Sequence, residues 1–128
     1  MKKTKFENDK MSDSTYKEKR QVMEIIYNAK KYSPSLPRIE VKIGKAKGNY
    51  LGFGRLGENQ IWIDVKKINK SQLVQVVLHE ILHAVFATPH KDTCKLMAPI
   101  VQNITEKKAW EIFGQYIDKY KQDLGCQN

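Results

Sequence analysis

Apolar residues in the first third of the chain recur with the period of an α-helix and then stop at two prolines. Four of them are spaced so that they share one helical face: Val22, Ile25, Ile26 and Ala29. This spacing predicts a helix that begins near Ser14. The segment 33–37 contains both prolines and ends the helix, because proline cannot continue a helix and disfavours helix in the residue before it.

The period of the apolar residues changes to two after these prolines. Ile39, Val41 and Ile43 alternate with polar residues, which is typical of a half-buried strand. Two further short apolar segments, at 50–53 and 60–65, are bounded by glycine-containing turns and predict a second and a third strand. We therefore expect a three-stranded, mainly antiparallel sheet in which each strand pairs with the next one along the chain.

The second half of the chain returns to helical spacing. Residues 73–86 are apolar almost all round, so we expect a helix there that is buried in the core and ends before Pro89. Further helices are predicted over 92–103, where Pro99 interrupts the pattern, and from Thr105, a suitable N-cap, to about residue 122. The predicted fold class is a small α+β domain with an N-terminal helix, the sheet, the buried helix and C-terminal helices.

Composition fits a single soluble domain. The chain has 128 residues, of which 41% are hydrophobic and 29% are charged, and we expect one domain over 14–125 behind a disordered basic tail over 1–13. Cys94 and Cys126 are far apart and are interpreted as reduced thiols of a cytoplasmic protein. No signal peptide or lipidation signal is visible, and the apolar run 73–87 is too short to cross a bilayer, so no membrane partner is expected.

The net charge of +9 leaves two interpretations of the surface. Lysines occur along the whole chain, which is typical of a solubilising surface. The same positive field attracts polyanions such as nucleic acid. The chain contains no helix-turn-helix, RRM or zinc-finger pattern, so nucleic-acid binding stays an alternative to the solubilising surface.

The candidate chemistry lies in the buried helix, where the sequence reads His-Glu-Ile-Leu-His. His79 and His83 are four residues apart and so lie on one helical face, from which both imidazoles can bind one metal ion. Glu80 lies about a quarter-turn away and is placed to accept a proton from a water that the metal polarises. This is the HExxH pattern of zinc hydrolases, and the predicted cofactor is Zn²⁺. The alternative is a pair of core histidines bonded to the backbone, with Glu80 paired to a lysine.

A catalytic zinc site needs a third protein ligand and one open position. His90 is the remaining histidine of the chain and follows Pro89, where the chain can turn back, so it is the predicted third ligand. Glu106 and Glu111 on the last helix are rival third ligands, and Cys94 is a weaker one.

Residues 38–101 resemble the zincin metallopeptidases, and more closely the SprT-like group. The resemblance rests on three segments: Ile-Trp-Ile-Asp at 61–64, His-Glu-Ile-Leu-His at 79–83 and Pro-His at 89–90. The resemblance implies a minimal zincin-like domain, with a third zinc ligand at His90 and Met97 in the core of a helix. It also implies that the strand at 61–64 borders the cleft, with Trp62 on the sheet face or in the core.

The matrixin-like group is the second resemblance, because residues 97–99 (Met-Ala-Pro) are similar to its Met-turn. In that group Met97 would lie in a turn beneath the metal. Phe86 stands where the matrixin pattern has glycine, and Pro89 stands where it has the third histidine.

We therefore expect a zinc-dependent peptidase that acts on a protein or peptide substrate, with His79, His83 and His90 as ligands and Glu80 as general base. The SprT-like resemblance implies that this substrate could be bound to DNA, in which case the basic surface would help to dock it. The alternative function is a non-catalytic zincin-like module with a structural zinc, or a basic domain that binds nucleic acid or a protein partner.

Overall fold

The described part of the chain contains three α-helices and three short strands, in the order helix, three strands and two helices. The computed structural model describes residues 13–48, 50–55, 58–91, 94–98 and 102–123. The elements are α1 (Asp13–Tyr32), β1 (Glu40–Ile43), β2 (Gly52–Arg55), β3 (Gln60–Ile63), α2 (Leu73–Phe86) and α3 (Glu106–Asp123). They confirm the predicted small α+β domain. The predicted basic tail falls outside the described residues except for Asp13, which begins α1, and Cys126 also lies outside them.

The sheet is mixed, and its strand order is β1-β3-β2. β1 runs parallel to β3, with Val41 opposite Ile61, and β2 runs antiparallel to β3, with Phe53 opposite Trp62. The prediction that each strand pairs with the next one along the chain is therefore wrong for β1, which pairs with β3 and not with β2, and is confirmed for β2 and β3. Alternation of apolar residues identifies a half-buried strand but carries no information about its partner. The central place of β3 agrees with its sequence, since three successive side chains are buried there.

The two faces of the sheet have different partners. Val41, Ile43, Ile61 and Ile63 face the helices and belong to the main core. On the opposite face Trp62, which is 7% exposed, forms a small cluster with Ala46 and the partly buried Phe53. The Trp62 and Phe53 rings stack with centroids 5.8 Å apart, and Trp62 Nε1 donates to Gln60 Oε1 at 3.0 Å. Trp62 thus has the predicted sheet-face position.

α2 is the central helix and contacts the sheet, α1 and α3. Its apolar circumference explains this position, because side chains on every side of the helix are buried. α3 begins after Thr105, whose Oγ1 accepts the Lys108 backbone N–H at 3.1 Å and so provides the predicted N-cap. None of the helices within the described ranges combines the length and the hydrophobicity that a membrane crossing requires.

The connection between β1 and β2 is organised by two side chains beyond β3. Asp64 is buried, and its Oδ2 accepts the Ala46 backbone N–H at 2.8 Å. Lys67 Nζ donates to the carbonyls of Ala46 and Gly48 at 2.8 Å and of Tyr50 at 3.1 Å, and it lies 3.9 Å from Asp64. Asp64, the last residue of the strand motif quoted above, therefore acts here as an anchor for a loop.

The predicted helix over 92–103 is wrong for the residues that the structure describes. Residues 95–97 form a turn, and 94, 98 and 102–103 have no regular structure. The carbonyl of Met97 accepts the Lys91 backbone N–H at 2.9 Å, which ties the segment back onto itself instead of extending a helix. Leu96, Met97 and Ala98 are all buried, and such a continuous buried run differs from the one-sided burial of a surface helix.

Candidate metal centre

Three imidazole rings converge at the C-terminal end of α2. His79 and His83 lie one turn apart on this helix, and their ring centroids are 4.6 Å apart. His90 follows the helix, and its ring centroid lies 5.2 Å from that of His79 and 4.7 Å from that of His83. One ligand atom from each ring lies within 4.8 Å of the other two. The predicted set of three histidines is therefore brought together, close enough to bind one metal ion.

Backbone carbonyls orient the two helical imidazoles. His79 Nδ1 donates to the Leu96 carbonyl at 2.7 Å, and His83 Nδ1 donates to the Thr88 carbonyl at 2.6 Å. A carbonyl oxygen can only accept, so each Nδ1 carries the proton and each Nε2 carries a lone pair. Metal-binding histidines are commonly oriented by such a hydrogen bond from the second ring nitrogen.

The termination of α2 creates one of these carbonyl partners. Ala87 takes up a left-handed conformation, with φ of 53°, and its N–H bonds to the Leu82 carbonyl. The Thr88 N–H bonds to the same carbonyl at 3.0 Å. This turn ends the helix and directs the Thr88 carbonyl back to His83, and it is followed at once by His90.

The spacing of the Nε2 atoms fits a metal. His79 Nε2 and His83 Nε2 are 3.1 Å apart. Zn–N bonds of about 2.0–2.1 Å in a tetrahedron place two ligand nitrogens about 3.4 Å apart. With both Nδ1 protons donated to carbonyls, two neutral rings direct lone pairs at each other, which is unfavourable unless a cation lies between them. The donor set, three imidazoles, suits zinc and other divalent transition metals.

Protonation is the other way to bring a positive charge between the two rings, and burial opposes it. The pKa of His79 is lowered from 6.5 to about 4, and burial is the largest cause; the hydrogen bond to the Leu96 carbonyl acts in the opposite direction, and the charges of His83 and His90 contribute to the lowering. His79 is therefore neutral near pH 7, which is the form that binds a metal.

Glu80 lies next to the first ligand on α2 and is only 6% exposed. It is not a member of the group formed by the three histidines. Its backbone carbonyl contributes to the surface against which β2 packs: a Cβ added to Gly54 would lie 2.5 Å from that oxygen. The residue that the sequence singles out as a base is thus buried and follows His79 of the histidine cluster directly on α2.

The rival third ligands lie elsewhere. Glu106 is exposed in the first turn of α3, and Glu111 is exposed and lies 3.9 Å from Lys108 Nζ. Cys94 is a free, half-buried thiol whose side chain is hydrogen-bonded to Tyr116. Of the candidates that the sequence left open, only His90 belongs to the cluster of ligand atoms found among the described residues.

The strand that borders the site is β2. The sequence resemblance placed 61–64 at the cleft, but β3 is paired on both sides, with β1 and with β2, so it has no free edge for a substrate. β2 is an edge strand, and no other strand pairs with its outer side within the described ranges. Gly54 of this strand packs directly on α2 at Glu80 and Ala84.

Two adjacent cavities lie near the histidine cluster, the first of them beside His90, and sequence patterns gave no sign of them. One, of about 420 Å³, is lined by His90, Phe86 and Tyr116, among other residues. The other, of about 390 Å³, shares Tyr116 with the first and also contains Cys94. Burial and the hydrogen bond with Cys94 raise the pKa of Tyr116 to about 12, so its hydroxyl keeps its proton at neutral pH.

Comparison of the chain with protein families, with curated proteins and with solved structures finds no match. The chemistry of the histidine cluster and its surroundings therefore carries the inference of function.

Proposed function

We propose that the protein is a zinc-dependent peptidase in which His79, His83 and His90 hold the metal and Glu80 is the general base. The observation that carries this proposal is the pair of Nε2 atoms 3.1 Å apart, each on a ring whose Nδ1 donates to a backbone carbonyl. Three histidines leave one position of a tetrahedral site open for water or substrate, as in catalytic rather than structural zinc sites.

A bound zinc ion would supply Lewis acidity, polarising the attacking water and the peptide carbonyl. Glu80 would accept the proton of that water and return it to the leaving amine. Glu80 is buried and follows the ligand His79 directly on α2, so its side chain has little freedom to leave the site. The carbonyls of Leu96 and Thr88 would keep the two helical ligands in the neutral tautomer that binds metal.

The substrate that this arrangement suits is an extended polypeptide. The outer edge of β2 offers backbone groups to a peptide strand, and β2 packs on α2 at Glu80. Backbone pairing with such an edge binds peptides with little dependence on side chains.

The segment after α2 supports a zincin peptidase and favours the matrixin-like resemblance over the SprT-like one. Ala87, and not Phe86, has the left-handed conformation in which the matrixin pattern uses glycine, and His90 is likewise shifted by one residue from the patterned position. Met97 is fully buried within a turn rather than a helix, and the preceding carbonyl, that of Leu96, accepts from His79.

Metal analysis and one conservative variant test the proposal. Protein purified without chelators should contain about one zinc per chain. Glu80→Gln should keep that zinc and lose cleavage of an unfolded protein substrate by about 10²–10⁴-fold, because only the proton acceptor is removed. His83→Ala should lose the metal as well as the activity.

The outcomes separate the two functions that the sequence left open. A protein that contains no transition metal, and binds none when zinc is supplied, would refute the metal site. A zinc-loaded protein that is inactive as the wild type and equally stable as Glu80→Gln would instead be a non-catalytic module with a structural zinc.

A further inference from the structure

The cavity lined by His90 and the second cavity next to it form one continuous cationic surface. Both are lined by Lys91, Tyr116 and Lys119, so they adjoin each other across Tyr116. Lys95 and Lys108 line the second cavity as well. Among the described residues that line the two cavities there are four lysines and no carboxylate.

The floor of the first cavity is apolar. Phe86, from the last turn of α2, and the Tyr116 ring line it, and Pro89 lies beside them. A site with apolar walls and ammonium groups around it fits a side chain that has a hydrocarbon stem and a negative end. Glutamate has this form, and Lys91 and Lys119 are the ammonium groups that would meet its carboxylate.

The first cavity adjoins the metal ligands directly, because His90 belongs both to its lining and to the histidine cluster. A side chain in this cavity would therefore come from a residue near the peptide bond that is cleaved. Lys108 is partly engaged, since its Nζ lies 3.9 Å from Glu111, whereas Lys91 and Lys119 line both cavities and are exposed.

We propose that the surface formed by Lys91, Lys119, Phe86 and Tyr116 is a specificity subsite that selects acidic side chains in the peptide substrate. This inference rests on the proposed peptidase function and adds a substrate class to it. The occupant is a peptide segment, because the first cavity, of about 420 Å³, has room for an amino-acid side chain and is lined by His90 of the histidine cluster.

Binding and cleavage are measured separately to test it. Fluorescent peptides of one neutral sequence, with a single Glu, Gln or Lys at each position in turn, are titrated into zinc-loaded Glu80→Gln protein and followed by anisotropy. At one position the Glu peptide should bind about 10-fold more tightly than the Gln peptide, and the difference should shrink at high salt. Wild-type protein should cleave that peptide with the same preference, expressed in KM.

Charge reversal identifies the subsite. Lys119→Glu should abolish the preference for Glu and favour the Lys peptide at the same position, while Lys119→Gln should remove the preference without inverting it. Lys17→Glu makes the same change of net charge on an exposed position of α1 and should leave the preference intact. Equal affinity for the Glu and Gln peptides at every position, or an equal loss in Lys17→Glu, would overturn the inference.

Two further outcomes keep this inference apart from the proposed function. Cleavage that shows no preference for Glu overturns the subsite alone. A Glu preference in a protein that does not cleave supports the subsite as a peptide-binding surface and refutes the peptidase. The protein could instead bind a single-stranded oligonucleotide, lose that binding in Lys119→Glu and show no Glu preference among the peptides. This result would assign the surface to nucleic acid and overturn the proposal.

Discussion

Replacing Gly54 with alanine tests how closely the edge strand approaches the metal-binding helix. The added Cβ would lie 2.5 Å from the Glu80 carbonyl oxygen and 3.0 Å from both the Ala84 backbone nitrogen and its Cβ. A carbon normally stays about 3.3 Å or more from a carbonyl oxygen, so β2 and α2 must separate by about 0.8 Å. No side-chain rotation relieves this contact, because the groups involved are backbone and Cβ atoms.

The free-energy cost follows from that separation. A gap of about 0.5–1 Å forfeits a quarter to a half of the dispersion energy of the atoms that face it, and overpacking of a core typically costs about 1–3 kcal/mol. Replacing glycine with alanine also lowers the conformational entropy of the unfolded chain, which by itself stabilises the folded state by about 0.4–1 kcal/mol. We expect a net loss of about 2 kcal/mol, or roughly 8 °C in Tm for a domain of this size.

Thermal unfolding, zinc content and peptide cleavage are the three measurements. Gly54→Ala should keep its zinc but cleave about 10- to 100-fold more slowly, because the substrate strand would be displaced from Glu80. The matched control is Gly114→Ala in α3, whose Cβ would meet only Tyr32 ring atoms at 3.7–3.8 Å. That variant should gain about 0.8 kcal/mol from helix propensity. If Gly54→Ala melts within about 1 °C of the wild type, the reasoning on close approach is refuted.

Two further predictions concern the surroundings of the ligands. Ala87→Gly should raise the stability by about 0.5–1 kcal/mol in urea unfolding, since Ala87 has φ of 53° and glycine adopts this conformation without strain; a loss of stability would contradict this. In the metal-free protein, the free energy of unfolding should have its full value above pH 6.5 and fall by up to about 3 kcal/mol towards pH 4. The reason is that the pKa of His79 is lowered to about 4 in the folded protein, so over this range the unfolded chain binds a proton that the folded chain does not. Urea unfolding between pH 7 and pH 4 checks this, and His79→Asn should remove that part of the pH dependence.

The helices α1, α2 and α3 and the shared face of His79 and His83 could be predicted from sequence because each depends on local spacing. His79 and His83 need only a helix, and α2 is identified by its apolar circumference. The start of α3 could also be predicted from local sequence, since Thr105 caps the helix that it precedes. Such features depend only on residues within one or two helical turns of each other.

The remaining features depend on the backbone or on distant contacts. Nothing in the apolar pattern shows that β1 is parallel to β3, because the pattern reports which side chains are buried and not which strands are neighbours. The segment around Met97 has helical spacing, but its carbonyls bond to His79 and Lys91 instead. The sequence does not show which backbone carbonyl a histidine will bond to, since every residue has a carbonyl.

The strand order has a consequence for how the domain assembles. β1 and β2 precede β3 in the chain but flank it in the sheet, so neither has its strand partner until residues 60–63 are in place. A chain that is still being synthesised, and has reached only residue 59, contains no pair of neighbouring strands. β3 leads within ten residues into α2. Sheet closure and docking of the histidine-bearing helix are therefore coupled events that wait for residues 60–86, and a truncation before residue 60 should leave α1 without α2 and with only an unpaired β1 to pack on.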